Sequence, residues 1–189
     1  MTIGQEQNNG RVGMMDRRTV LISGMALFLS ACGAVGPRPQ LGTDGKPLPQ
    51  VYPVNKQGEG VVAYRLLDSV NSLRSSRGMG PLTFNASLNA AAATHSRDMS
   101  VQNRPWHFGS DGSSPLDRVN RVGYTGKLMG ELISETYETE LETLAAWLGA
   151  PDMRGVLLDP KATDVGFAWF QEPNGKIWWT LVTGGPRGI

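Results

Sequence analysis

The chain contains two histidines, His95 and His107, and one cysteine, Cys32. An imidazole titrates near neutral pH and can move a proton or ligate a metal. The two histidines are therefore the first candidates for acid–base or ligand chemistry. A lone thiol cannot close an internal disulfide, so Cys32 needs another explanation. Ser110, Ser113 and Ser114 do not sit in a Gly-x-Ser-x-Gly elbow and read as loop and cap residues. Arg118 and Asp98 read as salt-bridge or loop-pinning residues. His95 falls on an apolar helical stripe beside Met99, which suits a core histidine with its ring hydrogen-bonded to backbone.

The surroundings of Cys32 explain it. Arg17 and Arg18 precede an apolar run of 12 residues, Val20–Ala31, that ends in Leu29-Ser30-Ala31-Cys32. Basic residues, a short apolar stretch and a small-residue exit form the layout of a secretion signal. The run is too short for a spanning helix, which needs about 20 apolar residues. The tetrapeptide resembles a bacterial lipobox, which implies cleavage before Cys32 and a diacylglycerol on its sulfur. Arg17-Arg18 also loosely resembles a twin-arginine export signal. The expectation is an extracytoplasmic, lipid-anchored protein whose membrane contact runs through Cys32. Gly33 is not the aspartate of inner-membrane retention, so the outer membrane is favoured, with the domain facing the periplasm or the cell surface.

Loss of residues 1–31 removes three of the 18 basic and two of the 17 acidic residues and leaves 15 of each. A neutral chain without a basic cluster excludes nucleic acid as a partner and leaves membrane attachment to acyl chains. Residues 32–60 carry Pro37, Pro39, Pro47, Pro49 and Pro53 among many Gly and Gln. Such composition buries too little apolar surface to offset ordering and reads as a tether, reaching up to about 80 Å if extended at roughly 3.1 Å per residue. Residues 61–184 suit one domain with one core, followed by a tail, 185–189.

The elements that must position the histidines follow from periodicity and caps. Helix one is expected over about 61–74 with Val62, Leu66, Val70 and Leu73 inward. Helix two runs over about 86–101 behind an Asn85 cap, with Leu88, Ala91, Ala92, His95 and Met99 on one face. A loop carries Trp106-His107-Phe108. Ser114 and Pro115 open a short third helix that Gly123 closes, and a strand follows over about 128–134. Thr139 and Glu142 form a capping box for a helix with Leu141, Leu144, Ala145 and Leu148 inward, and a fifth short helix opens at Pro151. Two strands, 164–170 and 176–183, flank a Pro173-Asn174-Gly175 turn. Both faces of those strands are apolar, so helices must cover both sides. The expected fold class is α+β: a three-layer α-β-α sandwich with a mainly antiparallel sheet.

Several segments, in order, resemble the CAP superfamily (cysteine-rich secretory proteins, antigen 5, pathogenesis-related proteins; the SCP domain) in its bacterial lipoprotein branch. They are Asn71-Ser72-Leu73-Arg74, His95-Ser96-Arg97-Asp98-Met99, His107 with Asp111-Gly112, Arg118, Gly123-Tyr124, Gly130-Glu131-Leu132-Ile133, Trp147, Pro151 to Pro160, Val165-Gly166 and Trp179-Thr180. The resemblance implies a cleft of two histidines and one or two glutamates able to bind a divalent metal such as zinc. His107 matches the first histidine and Glu131 the motif glutamate, while Met153 stands where the second histidine would be. A catalytic zinc needs about three protein ligands, and a thioether is a poor one for zinc, so no cofactor is expected. The candidate ligand cleft is His107, Glu131, His95 and Met153. The reading is a binding or scaffold module of the cell envelope whose partner is a cell-wall glycan, an envelope protein or a lipid ligand. The alternatives are a hydrolase using His107 and Glu131, or a carrier of a lipid-like molecule.

Overall fold

A computed structural model describes residues 51–136 and 138–187. Five helices pack on a four-stranded sheet. In chain order the elements are α1 (Glu59–Ser75), β1 (Thr83–Phe84), α2 (Ala86–Gln102), α3 (Pro115–Arg121), β2 (Lys127–Thr136), α4 (Glu140–Gly149), α5 (Pro151–Leu157), β3 (Asp164–Gln171) and β4 (Ile177–Gly185). The sheet order is β1-β3-β4-β2. β1 runs parallel to β3, and the β3–β4 and β4–β2 pairs are antiparallel. The α+β three-layer arrangement is the expected one.

Alternation along the strands sorts the layers. Val165 and Phe167 of β3, and Ile177, Trp179 and Leu181 of β4, share one core with α1, α4 and α5 through Val62, Leu66, Val70, Leu144, Trp147 and Leu157. Val182 faces the other way, into a smaller cluster with Leu88, Ala91 and Ala92 of α2, and Val119 and Tyr124. The alanines and Gly166 let α2 lie close to the sheet: a Cβ at Gly166 would collide with the Leu88–Asn89 backbone. β1 is only two residues long and leaves β3 short of a neighbour. The Asn89 side chain of α2 fills in, its Oδ1 accepting from the Phe167 N–H at 2.8 Å.

The helix ends follow their caps. Asn85 Oδ1 accepts from the N–H groups of Ser87 and Leu88, and Ser114 and Thr139 each close a reciprocal capping box, with Asp117 and Glu142. Arg74 is fully buried and donates to the carbonyls of Gly80, Leu157, Asp159 and Ala162. Four peptide groups of two loops are thereby satisfied by one guanidinium.

Three expectations change. Leu141 and Ala145 of α4 are exposed, and the buried positions are Glu140, Thr143, Leu144 and Trp147. Burying the Trp147 indole outweighs burying two smaller side chains, and Glu140 turned inward meets Arg65 at 2.8 Å. Strand β1 escapes periodicity because two residues carry no pattern. Finally, the last part of the expected tether is tied to the body at Tyr52 and Val54, and α1 already begins at Glu59. Val54 is fully buried in the larger core, the Tyr52 hydroxyl donates to Glu140 Oε2 at 2.9 Å, and Gln171 Nε2 donates to the Tyr52 carbonyl. Two apolar side chains were hidden by the Pro- and Gly-rich average around them. Cys32, the signal segment, the rest of the tether and the last two residues lie outside the described residues.

Candidate functional site

Glu131 sits in the middle of β2, opposite Val182 of β4. Its neighbours Gly130 and Leu132 face the α4–α5 layer, where Val156 crowds Gly130 and Leu132 joins the larger core. Alternation therefore turns Glu131 toward α2 and α3. There its side chain is 3% exposed, and three other groups converge on it.

Arg118 of α3 is the closest. Its Nη2 donates to Glu131 Oε2 at 2.7 Å and to Oε1 at 2.9 Å. The same guanidinium holds the neighbouring loop, with Nη2 donating to the His107 carbonyl and Nη1 to the Ser113 carbonyl, both at 2.9 Å. His107 follows, with Nδ1 at 2.9 Å from Glu131 Oε1 and a side chain 48% exposed. His95 of α2 is fully buried, and its Nε2 lies 3.6 Å from Glu131 Oε1. Burial pushes the His95 imidazole below its usual pKa, Glu131 pulls it up, and Arg118 adds to the downward push. His95 is therefore neutral near physiological pH.

The loop that carries His107 leaves α2 at Asn103, which adopts the left-handed conformation (φ 49°) that asparagine tolerates better than most residues. Asp98 pins the far side, accepting from the Ser110 N–H at 2.8 Å and from its hydroxyl. Gln102 Nε2 bridges Asp98 and the Phe108 carbonyl. Burial alone would raise the Asp98 carboxyl, but the Ser110 and Gln102 hydrogen bonds outweigh it and hold it below the usual range. The imidazole of His107 is thus placed from both ends of its loop.

Of the expected cleft residues, His95, His107 and Glu131 come together and Met153 does not. Met153 is partly exposed on α5, in the helix layer on the other side of the sheet. His95 is the expected buried histidine on the apolar face of α2, with the Trp106 backbone as a polar neighbour of its ring. Neither ring nitrogen closes a hydrogen bond of good geometry among the described residues. Glu131, the Trp106 backbone and Asp98 are the groups that favour its protonated form. Arg118, read from sequence as a salt-bridge residue, is one, and its partner is Glu131 at the centre of the cluster. Its spacing to Glu131 could not reveal this, since the pairing depends on α3 folding back against β2.

The divalent metal that the resemblance implies does not fit these donors. Both Glu131 oxygens already accept from a guanidinium, and a cation at the carboxylate would have to displace or lie against Arg118. Among the described residues, no group of three or more His, Cys, Asp and Glu is placed to hold a metal ion. A groove of about 420 Å³ lies between α1, α2 and β3, lined by Tyr64, Phe84, Asn89 and Trp169 among others, and shares no residue with the cluster.

Helices on both faces of a mostly antiparallel four-stranded sheet make this an α+β sandwich domain. The chain belongs to the CAP (cysteine-rich secretory protein) family, whose model matches residues 67–183. Among solved structures it is similar to an outer surface protein from Borrelia burgdorferi, at 15% identity and a TM-score of 0.63, with 69% of this chain and 96% of that one covered. It is similar to a Bacillus anthracis extracellular protein containing an SCP domain, at 23% identity and a TM-score of 0.63, with 73% and 45% covered. A Staphylococcus aureus cysteine-rich secretory protein matches at 16% identity and a TM-score of 0.59, with 77% and 44% covered. The match thus spans less than half of the latter two proteins. No curated protein sequence matches the chain.

Proposed function

We propose that this protein is a lipoprotein of the bacterial envelope, anchored through Cys32, whose CAP domain is a binding module. The observation that carries the binding reading is the Arg118–Glu131 pair: a buried carboxylate that accepts from a guanidinium on both oxygens is held as a structural counter-charge. What this leaves for a partner is a rigidly placed imidazole, half exposed on a pinned loop. The candidate partners are a cell-wall glycan, an envelope protein or a lipid-like ligand. Residues 33–189 should be retained on isolated cell wall or should capture an envelope component from extract, and His107→Ala should weaken the retention. Failure to retain any partner in either preparation would refute the module.

The anchor is supported by the Leu29-Ser30-Ala31-Cys32 exit from a 12-residue apolar run. Extracytoplasmic placement agrees with the surface and extracellular proteins that share the fold. No helix among the described residues is long and apolar enough to cross a membrane. Intact-mass analysis should find an amino terminus at Cys32 carrying acyl chains, and Cys32→Ser should release the protein from membranes or leave it unprocessed. One observation favours a second reading: the 2.9 Å contact of His107 with Glu131 is also that of a hydrolytic acid–base pair. An activity that belongs to this pair must vanish in both His107→Ala and Glu131→Gln while the fold persists.

A further inference from the structure

The loop that carries His107 also carries an exposed apolar surface that the cluster does not use. Trp106 is 41% exposed and Phe108 44% exposed, with ring centroids 5.3 Å apart. The Arg104 guanidinium lies 4.0 Å from the Trp106 ring centroid. Val101, near the end of α2, is 76% exposed. Arg97, one turn earlier on α2, stacks on Phe170. Exposed tryptophan, phenylalanine and a β-branched residue beside arginines match the interface between water and lipid headgroups, where amphipathic rings and long cationic side chains are both favoured.

The path of the chain says which surface this end of the domain meets. The described chain starts at Val51, whose side chain abuts Gly175 in the β3–β4 turn. The next residue, Lys176, donates to Asn103 Oδ1 at 3.1 Å, and Asn103 is where the loop leaves α2. Val51 is itself half exposed. The chain therefore enters the domain at the end that displays Val101, Arg104, Trp106 and Phe108. Eighteen residues separate Cys32 from Val51, a span of at most about 65 Å when extended. A domain held on so short a lead meets the bilayer at high local concentration.

We propose that the Arg104–Phe108 loop, with Val101, docks the domain onto the lipid surface to which Cys32 is anchored, placing His107 at the headgroup level. This rests on the anchor reading for the concentration it supplies. The rings of Trp106 and Phe108 enter the interface, and Arg104 and Arg97 face anionic headgroups.

The test uses the mature protein reconstituted in vesicles of phosphatidylethanolamine and phosphatidylglycerol that carry brominated acyl chains. Trp147, Trp178 and Trp179 are buried and Trp169 is half-buried in the groove between α1, α2 and β3, so the difference between the wild type and Trp106→Phe isolates the contribution of Trp106. Bromolipid should quench the wild-type emission, and Trp106→Phe should remove the quenched component. Arg104→Glu with Phe108→Asp should cut the quenching at least fivefold without moving the circular dichroism or the melting temperature. Wild-type quenching no greater than that of Trp106→Phe overturns the docking. So does a Trp106 response to soluble cell-wall glycan fragments with none to bromolipid. Mass analysis of the same sample separates the two readings. If Cys32 is unmodified the anchor fails, and the docking then stands only if the protein added in solution binds the vesicles and the paired loop variant does not.

Discussion

Removing the guanidinium of Arg118 would leave the Glu131 carboxylate buried without a counter-charge, and the His107 and Ser113 carbonyls without their donor. Breaking a buried pair by deleting one partner costs about 3–5 kcal/mol, so Arg118→Ala should lower the unfolding free energy by that order in urea titrations. The His107 contact with the same carboxylate is half exposed and screened, and His107→Ala should cost less than about 1 kcal/mol. Equal losses in the two variants would contradict this division of labour. His95 gives a pH signature. Unfolded, it takes a proton near pH 6.5; folded, burial holds its pKa lower. Its contribution to stability is therefore complete above about pH 6.5 and is lost progressively as the pH falls from there toward the lower folded value. Urea unfolding between pH 5 and 7.5 should show a shallower acid loss in His95→Gln than in the wild type. At this scale the family resemblance singled out His107 and Glu131, and the structure brings those two side chains into contact. The sequence also set His95 in the same cleft, and the structure puts its Nε2 3.6 Å from Glu131; what the sequence did not reveal is that Arg118 would occupy the carboxylate, since that contact depends on how α3 packs against β2.

The helices and the hairpin were legible for reasons that act locally. Asn85, Ser114 and Thr139 each supply a side-chain acceptor to a helix start, and Pro173-Asn174-Gly175 brackets a turn between two β-rich runs. Packing between elements was less legible. The inward face of α4 follows Trp147 and the Arg65–Glu140 pair, both long-range choices, rather than its count of leucines. Gly166 shows the same dependence on tertiary context: nothing local demands glycine there, but α2 lies against it. Gly166→Ala should therefore cost about 1–3 kcal/mol by overpacking, measurable as a fall in melting temperature, whereas Gly155→Ala, where a Cβ meets open space, should not destabilise the fold. A tolerated Gly166→Ala would mean that α2 can slide on the sheet, and the placement of His95 would then lose its basis.

Across the whole molecule, two side chains extend the body beyond the first helix. Tyr52 and Val54 bind the chain to the body before α1 begins, so limited proteolysis of the protein should leave a core that retains both residues and does not start near residue 61. Tyr52→Ala with Val54→Ala should move the cut toward α1, and an unchanged fragment would show that these contacts do not secure the segment. Composition could not place this boundary, because a window average dilutes two anchors among prolines and glycines. The Asn89 carboxamide has a consequence at the same scale. A sheet margin with a vacant amide invites strand-to-strand polymerisation. By occupying the Phe167 N–H with a side chain, the domain closes one landing point for another strand beyond the two residues of β1.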